Sequence, residues 1–161
     1  MNFGSDILVV SKLAYGLYQA FSSRNNTPTE IQKLSSELWN LNSVLDQLAA
    51  LASIPGSRFQ SPEIVELTMK LLESSRASLH NSQKLLSKYD SIEKGKGRRG
   101  LSWTKRLLRN VRKLQWPYEK DELVCLRGEI GSQLQGFTLL LNVVNGWAAL
   151  SPTPMFTLTV W

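Results

Sequence analysis

Ile31, Leu34, Leu38, Leu41, Leu45 and Leu48 follow one another at alternating spacings of three and four. Such spacing returns every side chain to one side of a 3.6-residue helix but scatters the same residues over both faces of a strand. A segment written this way buries its leucines only as a helix with a narrow apolar stripe, and a narrow stripe needs other helices to cover it. The pattern recurs along the chain. The fold class it implies is all-α: an elongated antiparallel bundle of four main helices plus a short basic amphipathic helix.

The boundaries follow from caps and breakers. A first helix is expected from Ser5, a plausible N-cap, to about Phe21. Ile7, Val9, Val10, Leu13, Ala14, Leu17, Ala20 and Phe21 fill one broad side of its wheel, and the strip opposite, with Ser11, Lys12 and Gln19, still holds Leu8 and Tyr15. A helix apolar nearly all round is expected at the centre of a bundle. Thr27-Pro28-Thr29-Glu30 reads as the start of the second helix, with a capping box and proline at the first helical position, and Pro55-Gly56 as its end. Ser61-Pro62-Glu63 opens a third helix. Its stripe of Val65, Leu72, Leu79, Leu86 and Tyr89 persists to Ile92, with the small residues Ser75 and Ser82 inside it for close helix approach. A kink near Ser74-Ser75 is compatible with that stripe. Gly95, Gly97 and Gly100 break the chain, and a short helix is expected from Leu101 to Gln115, stopped at Trp116-Pro117. The last helix starts near Glu119 to Asp121, carries Leu123, Leu126, Ile130, Leu134, Phe137, Leu141 and Val144, and stops at Asn145-Gly146. Residues 1–146 therefore read as one bundle domain. Residues 147–161 read as an apolar tail with two prolines, a short strand or loop, or the stub of a longer chain.

Charge is distributed unevenly. The chain of 161 residues has nineteen Lys or Arg and thirteen Asp or Glu. Nine of the basic residues, and none of the acidic ones, lie between Lys94 and Lys113, leaving ten basic against thirteen acidic elsewhere. A single contact site for an anion on a mildly acidic body fits this better than a generally cationic surface. Lys96, Arg98 and Arg99 fall in its glycine-rich half. Lys105, Arg106, Arg109, Arg112 and Lys113 fall within an arc of about 120° on the short helix, with Leu101, Trp103, Leu107, Leu108, Val111 and Leu114 opposite. A cationic amphipathic helix beside tryptophan suits an anionic membrane surface, each basic residue contributing about 1 kcal/mol. It also suits an acidic protein groove. Nucleic acid ranks last, because no reading module accompanies it. A merely solvated face remains the plain alternative.

The residues that would carry catalysis are sparse. His80 is the only histidine and sits mid-helix next to Leu79; Cys125 is the only cysteine, between Leu123 and Leu126, where a buried thiol is expected. One cysteine forms no internal disulfide and no zinc set. Gly95-Lys96-Gly97-Arg98-Arg99-Gly100 lacks the glycine spacing, the following Lys-Ser/Thr and the preceding strand of a phosphate loop. Glu63, Glu66 and Glu73 read as solvated. No enzyme, metal or cofactor is expected. The first positive side chain is Lys12, so no signal-peptide n-region is apparent, and no run of eighteen apolar residues occurs. The simplest location is cytoplasmic.

Three stretches carry a resemblance. They are Ser5-Asp6-Ile7-Leu8 with Ser11-Lys12-Leu13-Ala14-Tyr15-Gly16-Leu17-Tyr18; Leu34-Ser35-Ser36-Glu37-Leu38 with Leu41-Asn42-Ser43-Val44-Leu45; and Lys113-Leu114-Gln115-Trp116 with Asp121-Glu122-Leu123 and Leu126-Arg127. In this order, over roughly residues 3 to 145, the chain resembles the N-terminal helical domains of fungal NLR-like and STAND signalling proteins, in particular the HeLo-like group. The resemblance implies a non-enzymatic signalling or execution module that self-associates or meets another helical signalling domain. It implies regulated cell death and innate immunity as settings, and the plasma membrane as the site of action on activation. The membrane-inserting role would fall to the first helix, with Ile7, Leu8, Val9, Val10, Leu13, Leu17 and Phe21. Asp6, Lys12 and Gln19 interrupt that helix, so insertion would require an oligomer that shields them. A protein–protein adaptor without membrane activity is the alternative.

Overall fold

A computed structural model describes residues 3–23, 29–94 and 102–150, with side chains described for 3–23, 29–88 and 120–146. Four helices account for almost all of it: α1 (Phe3–Ser22), α2 (Thr29–Ala52), α3 (Pro62–Lys94) and α4 (Ser102–Leu150). The all-α bundle follows from the stripes. All six residues of the α2 stripe are buried, as are Leu72 and Leu79 of α3 and Leu123, Leu126, Ile130, Phe137, Leu141 and Val144 of α4. Ser75 and Ser82 are fully buried between helices. Thr27 and Pro28 of the expected α2 start lie outside the described residues, so the capping box of Thr27 with Glu30 does too.

The helices form a square. α1 packs on α2 and α3, and α4 packs on α2 and α3, while the pairs α1–α4 and α2–α3 lie across the diagonals. α1 and α2 run antiparallel, with Ser11 beside Asn42 and Tyr18 beside Trp39. α3 and α4 are also antiparallel: Lys88 meets Glu122, Ser78 meets Glu129, and Ser74 meets Gln133. The α2–α3 connection therefore crosses a diagonal at one end of the square, and its sequence suits that path. Ser57 N–H donates to Ile54 C=O at 3.2 Å across Pro55-Gly56. Gly56 adopts φ +74°, the left-handed position that follows proline in a type II turn. A 3₁₀ turn at Arg58–Gln60 follows, which the periodicity did not indicate. It drives Phe59, fully buried, into the bundle end, where its ring lies 5.4 Å from that of Phe3.

Three expectations are corrected. The short basic helix and the last helix are one: α4 runs through Trp116-Pro117 and past Asn145-Gly146 to Leu150. Proline disfavours helix at the residue before it and deprives the Lys113 carbonyl of its N–H partner, but this is a preference that long helical flanks override. α1 is not central. It occupies a corner, packed mainly against α2 and α3, and its outer side keeps Leu8 41% and Val9 58% exposed. Ser11, placed on the polar strip by the wheel, is buried, because α2 supplies polar partners there.

Candidate functional site

The seven apolar residues singled out on α1 separate into two sets. Ile7, Val10, Leu17 and Phe21 are buried in the core and Leu13 packs partly against it; Leu8 and Val9 face outward. The helix is fastened by polar contacts on both flanks. Toward α2, Asn42 Nδ2 donates to Ser11 Oγ at 2.7 Å and to the Ser11 carbonyl at 3.2 Å, while Ser11 Oγ donates to the Asp46 carboxylate. Toward α3, Arg76 reaches Asp6 at 3.5 Å.

Beside this lock the α1–α2 edge carries aromatic side chains. The Trp39 ring lies 5.0 Å from Tyr18 and 6.3 Å from Tyr15, and the two tyrosines are 6.1 Å apart, all tilted. Gln19 Nε2 donates to the Tyr15 hydroxyl at 3.0 Å. Tyr15 and Trp39 stay substantially exposed, so the trio continues the uncovered strip of α1 that begins at Leu8. Leu8 and Tyr15 share one strip of the α1 wheel; Trp39 is not legible from that strip, because joining it to them requires the pairing of α1 with α2.

On the opposite corner α4 is clamped to α2. Arg127 donates from Nη1 to Glu30 and from Nη2 to Glu37 at 3.1 Å, and Lys33 approaches Glu30 at 3.4 Å. Burial pushes the Glu30 carboxyl up, but the hydrogen bonds and charges of Arg127 and Lys33 outweigh it and hold the group below its ordinary value. The same carboxylates raise the Arg127 pKa against the opposing effect of burial.

This clamp locates the basic segment. α2 begins one residue before Glu30, whereas the α4 residues from Ser102 to Arg127 amount to about 37 Å of helix at 1.5 Å per residue. With α2 and α4 parallel, the part of α4 that holds Lys105, Arg106, Arg109, Arg112 and Lys113 runs on past the start of α2. The side chains of these five residues lie outside those described, as do Lys96, Arg98 and Arg99 entirely.

His80 is exposed on α3. Cys125 is exposed, not buried, because it faces away from the contacts that Leu123 and Leu126 make with the core. Glu63, Glu66 and Glu73 are exposed as expected, and Glu66 pairs with Lys70 at 2.7 Å. Among the described residues no group of His, Cys, Asp and Glu could hold a metal ion, and no helix is long and apolar enough to cross a membrane. No family model, curated protein or solved structure matches the chain.

Proposed function

We propose that the chain is a non-enzymatic signalling module of the kind found at the N-termini of fungal NLR-like and STAND proteins, acting by assembly through the outer face of α1. The observation that carries this is the corner position of α1, which leaves Leu8, Val9 and Tyr15 uncovered on a helix whose inner face is held in the core. On this reading assembly brings several α1 faces together at an anionic membrane, and the basic part of α4 holds the assembly at the lipid headgroups. Because no described helix spans a bilayer alone, the membrane step needs the oligomer.

The test is leakage and co-sedimentation with vesicles of anionic and of neutral lipid. Anionic vesicles leak, and Arg106→Glu, Arg109→Glu and Lys113→Glu together abolish it. Absence of binding and leakage in every oligomeric state defeats the membrane step. A second reading, an adaptor that docks a helical partner without touching lipid, draws on the aromatic trio of Tyr15, Tyr18 and Trp39, since half-exposed Trp and Tyr concentrate binding energy at protein interfaces. Signalling retained without membrane association selects it.

A further inference from the structure

A chain of polar side chains joins α3 to α4. Gln133 of α4 is 6% exposed, and its Nε2 donates to the Ser74 carbonyl at 3.2 Å, to Ser74 Oγ at 3.1 Å and to Ser78 Oγ at 2.7 Å. Ser78, itself buried, donates to Glu129 Oε2 at 3.0 Å. The relay therefore ends at a carboxylate that is exposed yet held in place. Asp6, Glu30, Glu37 and Glu122 each meet a cation on a neighbouring helix. Glu129 meets only the neutral Ser78, and among the described residues its second oxygen is uncommitted. Behind it, Gln133 Oε1 is buried and no donor reaches it. Both unmatched oxygens of the relay are acceptors, and one carries charge. The arrangement calls for a donor that is also a cation.

We infer that the cleft around Glu129 binds a primary aliphatic ammonium group, with the Glu129 carboxylate as its counter-charge. Asn81 and Ser132 line the same cleft, the first one turn from Ser78 and the second one turn from Glu129, and supply further oxygen acceptors. An ammonium carries three donors, which suits one carboxylate oxygen and two neutral oxygens. A guanidinium fork is suited to a carboxylate that offers both oxygens, and Ser78 already engages one of these. Ala77 and Gly128 line the cleft beside the carboxylate, and a Cβ built on Gly128 would meet nothing within 4 Å. These small residues leave room for an alkyl stem. Because Ser78 fixes the carboxylate beforehand, little ordering is left for binding to impose on it. The cleft residues belong to α3 and α4, so its occupancy and assembly through α1 can succeed or fail separately. A lysine side chain and a free alkylamine both present this chemistry.

The test is a titration of the isotope-labelled 161-residue chain with n-butylammonium, which is the lysine side chain without its backbone. Nuclear magnetic resonance follows the backbone amides of Gly128 and Ser132 and the side-chain amide of Gln133. Saturable shifts confined to the cleft are expected. Tetramethylammonium, which has the charge and no N–H donor, and methylguanidinium are each expected to bind at least about fivefold more weakly. Glu129→Gln keeps a hydrogen-bonding oxygen for Ser78 and is expected to weaken n-butylammonium binding at least about tenfold, whereas Glu73→Gln, at an exposed carboxylate elsewhere on α3, leaves it unchanged. Nα-acetyl-lysine N-methylamide separates the sources. Affinity equal to that of n-butylammonium assigns the cleft to a lysine of a protein partner, and weaker binding assigns it to a free amine. Absence of saturable shifts overturns the inference. So does equal binding of tetramethylammonium or methylguanidinium, and so does binding that survives Glu129→Gln.

Discussion

Arg127 of α4 donates to Glu30 at the start of α2, across ninety-seven residues of chain, and the same guanidinium reaches Glu37 nearly two turns further along. One cation thereby ties two parallel helices together through two carboxylates. Glu37 Oε2 and Arg127 Nε are buried without a protein partner, so the clamp has little tolerance for losing a member. Arg127→Ala is expected to lower unfolding stability by about 1–3 kcal/mol, the cost of stranding partly buried carboxylates. Urea unfolding followed by circular dichroism measures it; a change below a few tenths would show the clamp to be solvent-compensated.

The same clamp gives the bundle an acid-sensitive element. The Glu30 carboxyl titrates lower in the folded chain than its ordinary value, so the unfolded chain binds the proton first as pH falls. Stability from this group is complete above the unfolded pKa and is lost as pH drops through the folded one. Glu30→Gln should therefore flatten the acid limb of a plot of unfolding midpoint against pH as pH falls below the ordinary carboxyl value of 4.5, leaving its neutral part parallel to that of the unaltered chain. An identical acid limb in both proteins contradicts the assignment.

α4 carries four glycines, Gly128, Gly131, Gly136 and Gly146, and the structure separates their surroundings. A Cβ at Gly128 or Gly131 meets nothing within 4 Å, whereas at Gly136 it meets Leu71. Gly128→Ala and Gly131→Ala are expected to stabilise the chain by about 0.5–1 kcal/mol each, the helix-propensity difference. Gly136→Ala should gain little, since Leu71 must shift, and Gly136→Leu should lose stability through overpacking. Thermal unfolding of the four variants under one condition ranks them.

Ser11 shows where a wheel stops being informative. Its hydroxyl bridges Asn42 and Asp46 inside the α1–α2 contact. Ser11→Ala leaves both partners short of a hydrogen bond and is expected to cost about 1–3 kcal/mol, against less than about 0.5 for Ser43→Ala on the exposed side of α2. Chemical denaturation of the pair decides it.

The contrast between these residues explains what was legible in the sequence. Leu34, Leu38, Leu41 and Leu45 announce their burial because period and hydrophobicity belong to one helix and need no neighbour. Ser61-Pro62 and Pro55-Gly56 announce a boundary and a turn because proline and glycine act on the local backbone. The corner position of α1, the burial of Ser11 and the joining of Trp39 to Tyr15 depend on which helix lies beside which, and no local pattern encodes that. Trp116-Pro117 misled for a related reason, since a local preference against helix yields when long helical stretches flank it.

Val9 and Val10 are adjacent in sequence and opposite in environment, which separates folding from function on α1. Val10 is fully buried, and Val10→Asp would place a charge in the core at a cost of several kcal/mol, enough to unfold the domain. Val9 is more than half exposed, so Val9→Asp should keep the fold within about 0.5 kcal/mol. If the outer face of α1 is the working surface, Val9→Asp and Leu8→Asp remain helical and monodisperse yet lose vesicle leakage or self-association. Trp39→Ala then discriminates the two proposed roles: a docking surface centred on the aromatic trio loses partner affinity by about 2 kcal/mol or more, whereas membrane action through Leu8 and Val9 is largely retained. Circular dichroism, leakage and sedimentation on these four variants read the three properties independently. A folded Val9→Asp variant with undiminished leakage and association would remove α1 from the mechanism altogether.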